Sequence, residues 1–170
     1  MDQGVPPMPP RVAGATTERT PRVALHRDGD LMRERFRVAP RCSDAPPRVE
    51  DTHRVRVMRR ITAARLRHCG LEPLIDEVAI IVSELLTNAV LHSGTTEIAL
   101  SLSIRNGHLR VTVSDGMQGG ATRKDVDENA ESGRGLILVE AFVAERGGAW
   151  GTSDDGATTW CDLSIPEEVA

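Results

Sequence analysis

The chain has 170 residues, 39% hydrophobic and 27% charged, enough for one domain with its own core plus a tail and too few for two ordinary domains. Two Phe, two Trp and no Tyr leave the core to Leu, Val, Ile and Ala and supply no aromatic platform for stacking single-stranded nucleic acid. The net charge of −4 conceals a split, fifteen Arg against eight acids in residues 1–67 and six Lys or Arg against seventeen acids in residues 68–170, but Arg scattered among Pro and acids reads as a solvated tail rather than a DNA-binding arm.

Cys42, Cys69 and Cys161 are odd in number and far apart, so neither a disulfide framework nor a structural zinc site is expected, and a reducing cytoplasm is the natural setting. The N-terminus carries no apolar run of signal-peptide length, and nowhere do about 18 apolar residues follow one another. A protein neither secreted nor membrane-spanning is expected, with no direct contact to nucleic acid.

From residue 1 to about 35, Pro, Gly, Thr and Arg dominate, as in "GVPPMPPRVAG", with too little periodic apolar content to offset the entropy of ordering. That stretch is expected to be a flexible basic tail before a domain spanning 36–166. "FRVAP", residues 36–40, reads as a short edge strand, and "RCSDAPP" as the loop before a helix that starts near Val49 or Glu50. In that helix Val57, Met58, Ile61 and Ala64 fall at helical spacing, and Gly70 stands where a cap would. A second helix is expected from about Leu74 to His92, with Val78, Val82, Leu85 and Ala89 as its core stripe and Gly94 as its stop.

Ile98, Leu100, Leu102 and Ile104 then alternate with small or polar residues, Asn106-Gly107 supplies a tight turn, and Leu109, Val111 and Val113 alternate on the return. After Ser114-Asp115 the chain loses periodicity over residues 116–133, a loop long enough to suggest a functional segment. Leu136, Val139 and Val143 restore helical spacing up to Gly147-Gly148. A short strand, an Asp-Gly turn and a last strand follow, with Thr159, Cys161, Leu163 and Ile165 sharing one face. Strands joined by hairpins and helices gathered between them predict an α+β fold, a two-layer sandwich in which helices cover one face of a mixed, mostly antiparallel sheet.

On the second helix Glu84, Asn88 and His92 stand at i, i+4 and i+8. Glu84 lies roughly 140° and Asn88 roughly 100° from the core stripe, at about 100° per residue. Two further elements stand out: Asp115-Gly116-x-x-Gly119 at a strand end and Ser132-Gly133-Arg134-Gly135 opening a helix. Taken singly, each has an ordinary reading: a surface pair, a turn former and a glycine turn. Their order and spacing point elsewhere.

"SELLTNAVLHSG", "VSDGMQGG", "ESGRGLILV" and "GATTWCDL" together resemble the asparagine box, two glycine boxes and closing threonine segment of the GHKL ATP-binding domain, the Bergerat fold shared by gyrase, Hsp90, histidine kinases and MutL. The similarity is closest to bacterial anti-sigma-factor serine kinases of the RsbW type and their actinobacterial relatives. It covers roughly residues 36–166. The resemblance implies that Asn88 coordinates Mg²⁺ through a hard amide oxygen and so holds the phosphates of ATP, and that Glu84 is the general base. It further implies that Asp115 accepts a hydrogen bond from the adenine amino group, that Thr158 supports the same pocket, and that Gly119 lets the backbone pass close to the base. Gly133 and Gly135 would wrap the triphosphate, with Arg134 as a phosphate contact. His92, near the carbonyls at a helix C-terminus, reads as structural.

Met117 stands where that family's first glycine box has its first Gly, and the segment from Gly120 to Ser132 is short, with Arg123 and Lys124 as its cations. The resemblance implies a cytoplasmic ATP-dependent protein serine/threonine kinase, an anti-sigma factor that phosphorylates an anti-sigma-factor antagonist and otherwise sequesters a sigma factor, with homodimerisation common among relatives. Retention of Glu84 beside Asn88 supports that reading. A nucleotide-binding regulator that holds its partner without turnover is the alternative, which Met117 and the short segment favour. A histidine kinase is disfavoured, because none of His26, His53, His68, His92 and His108 is followed by Glu or Asp. A regulatory domain of a larger ATPase is disfavoured too, since no transducer is expected after Pro166.

Overall fold

A computed structural model describes residues 28–39, 46–92, 94–117 and 131–166, with the backbone alone at 131–134. In chain order the described elements are β1 (Gly29–Arg37), α1 (Val49–His68), a single 3₁₀ turn (Glu72–Leu74), α2 (Ile75–His92), β2 (Glu97–Arg105), β3 (His108–Ser114), α3 (Glu131–Glu145), β4 (Ala149–Thr152) and β5 (Thr158–Ser164). The strands form one sheet in the order β1-β2-β3-β5-β4, and every one of these pairings is antiparallel. The expected two-layer α+β sandwich is what forms.

Alternation dictates which side of each strand meets the helices. Met32, Leu102, Val111, Cys161 and Trp150 lie side by side across all five strands, and all but Trp150 are buried. The opposite row, Arg33, Ser101, Thr112, Trp160 and Gly151, is polar apart from Trp160, which lies beneath the Arg110 guanidinium, 4.8 Å from its ring centroid. The β2–β3 hairpin turns at Asn106 (φ 51°) and Gly107 (φ 75°), positive at both central residues as a tight, right-twisted hairpin requires. On α2 the whole stripe Val78, Val82, Leu85 and Ala89 is buried, joined by Ile81, Leu86 and Val90. Such width fits a central helix, and α2 packs against both α1 and α3.

Two expectations need correction. The first strand is not confined to 36–40. β1 runs from Gly29 to Arg37 in register with β2, so residues 29–35, read as tail, belong to the sheet. The charged residues Arg33, Arg35 and Arg37 face outward from an edge strand, which masked the alternation of Met32 and Phe36 with them, and charge on an edge is what blocks sheet-to-sheet association. Residues 1–27 of the expected tail lie outside the described residues.

On α1 the inward line is Asp51, Met58, Thr62 and Leu66, whereas Ile61 is 38% exposed and Ala64 is exposed. The apolar pattern pointed to a neighbouring face because two inward positions are polar. Asp51 sits in the first helical turn, where the helix dipole favours a carboxylate, and Arg54 Nη1 donates to its Oδ1 at 2.8 Å. Thr62 Oγ1 is buried without a hydrogen-bond partner among the described residues.

Candidate functional site

The end of β3 builds one wall of a cavity. Pairing with β5 runs to Ser114 opposite Thr158, and the Asp115 N–H still donates to Ala157 O at 3.1 Å. The chain then turns through Gly116 at φ +68°, and the Met117 N–H donates back to Asp115 Oδ1 at 3.0 Å. That short Asx-type turn holds the carboxyl at the cavity wall. Burial pushes the Asp115 carboxyl above its ordinary value, while the hydrogen bond from Met117 acts in the opposite direction.

The facing wall is the last two turns of α2. Leu85, Asn88, Ala89 and His92 line the cavity together with Asp115, the i, i+4 spacing placing Asn88 and His92 one above the other. Val113 and Thr159, neighbours across β3 and β5, form its floor, and Leu136 of α3 and Trp150 of β4 close the sides. Mixed walls, with Leu85, Ala89, Val113, Leu136 and Trp150 as their apolar part and one half-buried carboxylate acceptor, suit a flat heterocycle that carries an amino donor, which is what adenine presents. The amide of Asn88 supplies a hard oxygen at the same wall. Among the described residues no group of three or more His, Cys, Asp or Glu could hold a metal ion.

The structure thus brings Asn88 and Asp115 together and moves two other residues. Thr158 does not face the cavity: it alternates with Thr159, which does. The Thr158 hydroxyl instead donates to Ser114 Oγ at 3.2 Å, beside the strand that ends in Asp115. The signal was present in the shared face of Thr159, Cys161, Leu163 and Ile165, a pattern that excludes Thr158. His92, read as structural, lines the cavity, and its place four residues after Asn88 was the available clue.

Glu84 borders a different depression, an outer groove shared with Arg59 of α1 and Asp76, Ile80 and Ser83 of α2. Its carboxylate lies against α3 at Gly135, where a side-chain Cβ would overlap Glu84 Oε2. Gly133, Arg134 and Gly135 all fall within the helical span of α3, so the second glycine segment opens the helix as expected. The side chain of Arg134 is not among those described, and Gly119, Arg123 and Lys124 lie outside the described residues. Met117, at the position of the family's glycine, is 43% exposed.

A helix-covered antiparallel sheet with an asparagine helix over an aspartate strand end defines a class of nucleotide-binding ATPase domain. The chain belongs to the histidine kinase-like ATPase domain family, whose model matches residues 49–160. No curated protein matches the chain. Among solved structures it is similar to the histidine kinase domain of the Erythrobacter litoralis EL346 blue-light activated histidine kinase, at 24% identity and TM-score 0.44 over 56% of this chain and 46% of that one. It is also similar to the Acinetobacter baumannii histidine kinase AdeS, at 17% identity and TM-score 0.46 over 79% and 68% of the two chains. The chain thus spans less than half the length of the first of these. No helix among the described residues is long and apolar enough to cross a membrane.

Proposed function

We propose that the protein is an ATP-dependent serine/threonine kinase, a cytoplasmic anti-sigma factor that phosphorylates an anti-sigma-factor antagonist and otherwise sequesters a sigma factor. The observation that carries this reading is the placement of Glu84 one helical turn from Asn88, with its carboxylate beside α3 and open to an outer groove. A base there is reachable from the protein surface while adenine is held from the cavity side. In the ATP complex Asp115 would accept from the adenine amino group, and Asn88 would hold a Mg²⁺ ion whose charge would offset that of the transferring phosphoryl group. Glu84 takes the proton of the acceptor hydroxyl as its oxygen bonds the γ-phosphorus and ADP departs. The partner is a protein rather than a nucleic acid, and the kinase acts as a homodimer.

Radiolabelled ATP offered with purified antagonist proteins tests the reading. Wild type is expected to label a partner serine or threonine, and Glu84→Gln to reduce labelling by about 10²-fold or more while sparing ATP binding. Equal labelling by the variant would remove Glu84 as the base. A second reading, a nucleotide-binding regulator without turnover, is favoured by the exposed Met117 in place of glycine. It is the one supported if ATP binds, the partner binds and no label moves.

A further inference from the structure

Glu84 is a flexible side chain on a regular helix, and on its own its carboxylate would sample several rotamers above the outer groove. What confines it is the main chain of α3. A Cβ at position 135 would overlap Glu84 Oε2 and stand 2.9 Å from Cδ and 3.4 Å from Cγ. Gly135 lies inside α3 and is not among the residues with positive φ, so no backbone conformation calls for glycine there. Within a helix glycine is otherwise the unfavourable choice against alanine. The missing side chain is explained by the neighbour for which it leaves room.

We propose that Gly135 is a positioning residue for Glu84: its bare Cα forms the slot that fixes the carboxylate in the orientation from which it takes the acceptor proton. The catalytic consequence rests on the kinase reading, whereas the slot rests on the geometry alone. Because the obstructing atoms are the far end of a side chain rather than backbone, a methyl at position 135 turns Glu84 aside and leaves α3 in place. A glycine kept for close approach of phosphate would behave differently, since a methyl there would weaken nucleotide binding itself.

The test compares wild type, Gly135→Ala, Glu84→Asp and the double variant. Gly135→Ala is expected to keep or raise the melting temperature and to lower kcat, measured at saturating ATP, by about tenfold or more through misplacement of the base, well beyond any change in ATP affinity. Since Asp is one methylene shorter, Glu84→Asp should cost less in the Gly135→Ala background than in wild type, a non-additivity of several-fold in kcat. Crystals of the two nucleotide-free proteins should show Glu84 against residue 135 in wild type and rotated away in Gly135→Ala. Additive effects, loss of ATP affinity in step with kcat, or an unmoved Glu84 would overturn the slot. If wild type binds ATP but transfers no phosphoryl group, the kinase reading falls, and the slot is then decided by whether Glu84 moves in the Gly135→Ala crystals.

Discussion

At the scale of single residues, the burial of Asp115 works against stability. Burial holds its carboxyl above the ordinary value, so the folded protein binds that proton more tightly than the unfolded chain does. Stability therefore falls as pH rises through the window between the unfolded and the raised folded value. Asp115→Asn keeps an oxygen for the Met117 N–H and removes the charge. It is expected to raise the melting temperature at pH 7, with the difference vanishing in acid where Asp115 is itself neutral; an equal gain at every pH would argue against a charge effect. Cys161 shows the opposite case, a group silenced by its surroundings. Burial pushes its thiol up to about 12, which suits a small core residue and makes it a poor nucleophile.

At the scale of elements, Thr62 offers a clean measurement. Its hydroxyl is buried without a partner among the described residues, in the middle of the inward line of α1. Thr62→Val keeps the shape and removes the unpaired group, so a gain of about 1 kcal/mol in denaturant unfolding is expected; a loss would mean that the hydroxyl is satisfied in solution. The same residue shows why α1 was only half legible in the sequence. Its extent followed from Gly70, but its face did not, because Asp51 and Thr62 take core positions that a hydrophobic pattern assigns to solvent. α2 and the β2–β3 hairpin were legible because every inward position is apolar and Asn106-Gly107 fits one turn type. β1 was read too short for the reverse reason, its outward Arg residues resembling the tail before it. Motif order named Asn88 and Asp115, which line one cavity, and it named Thr158, whereas alternation along β5 turns its neighbour Thr159 to that cavity. That Glu84 opens to a groove apart from the cavity depends on how closely α3 approaches α2, a tertiary distance that spacing along one helix does not encode.

At the scale of the whole molecule, one sheet and one central helix divide the chemistry between two sides. The inner side of α2 and the end of β3 hold Asn88 and Asp115 at one cavity, and the outer side offers Glu84 to a groove that a protein partner can reach. The chain belongs to the histidine kinase-like ATPase domain family over residues 49–160, and the first of these is the proposed nucleotide site, the second the proposed approach for a protein substrate. The central claim is that the cavity between α2 and the β3–β5 strand ends selects adenine through Asp115. Calorimetric titration of ATP and GTP into wild type and Asp115→Asn tests it most directly. One ATP site per chain is expected, with GTP at least about tenfold weaker and ATP affinity reduced by about 10–100-fold in the variant, the loss of one hydrogen bond to a charged acceptor. Equal binding of ATP and GTP, or undiminished ATP binding by Asp115→Asn, would contradict it.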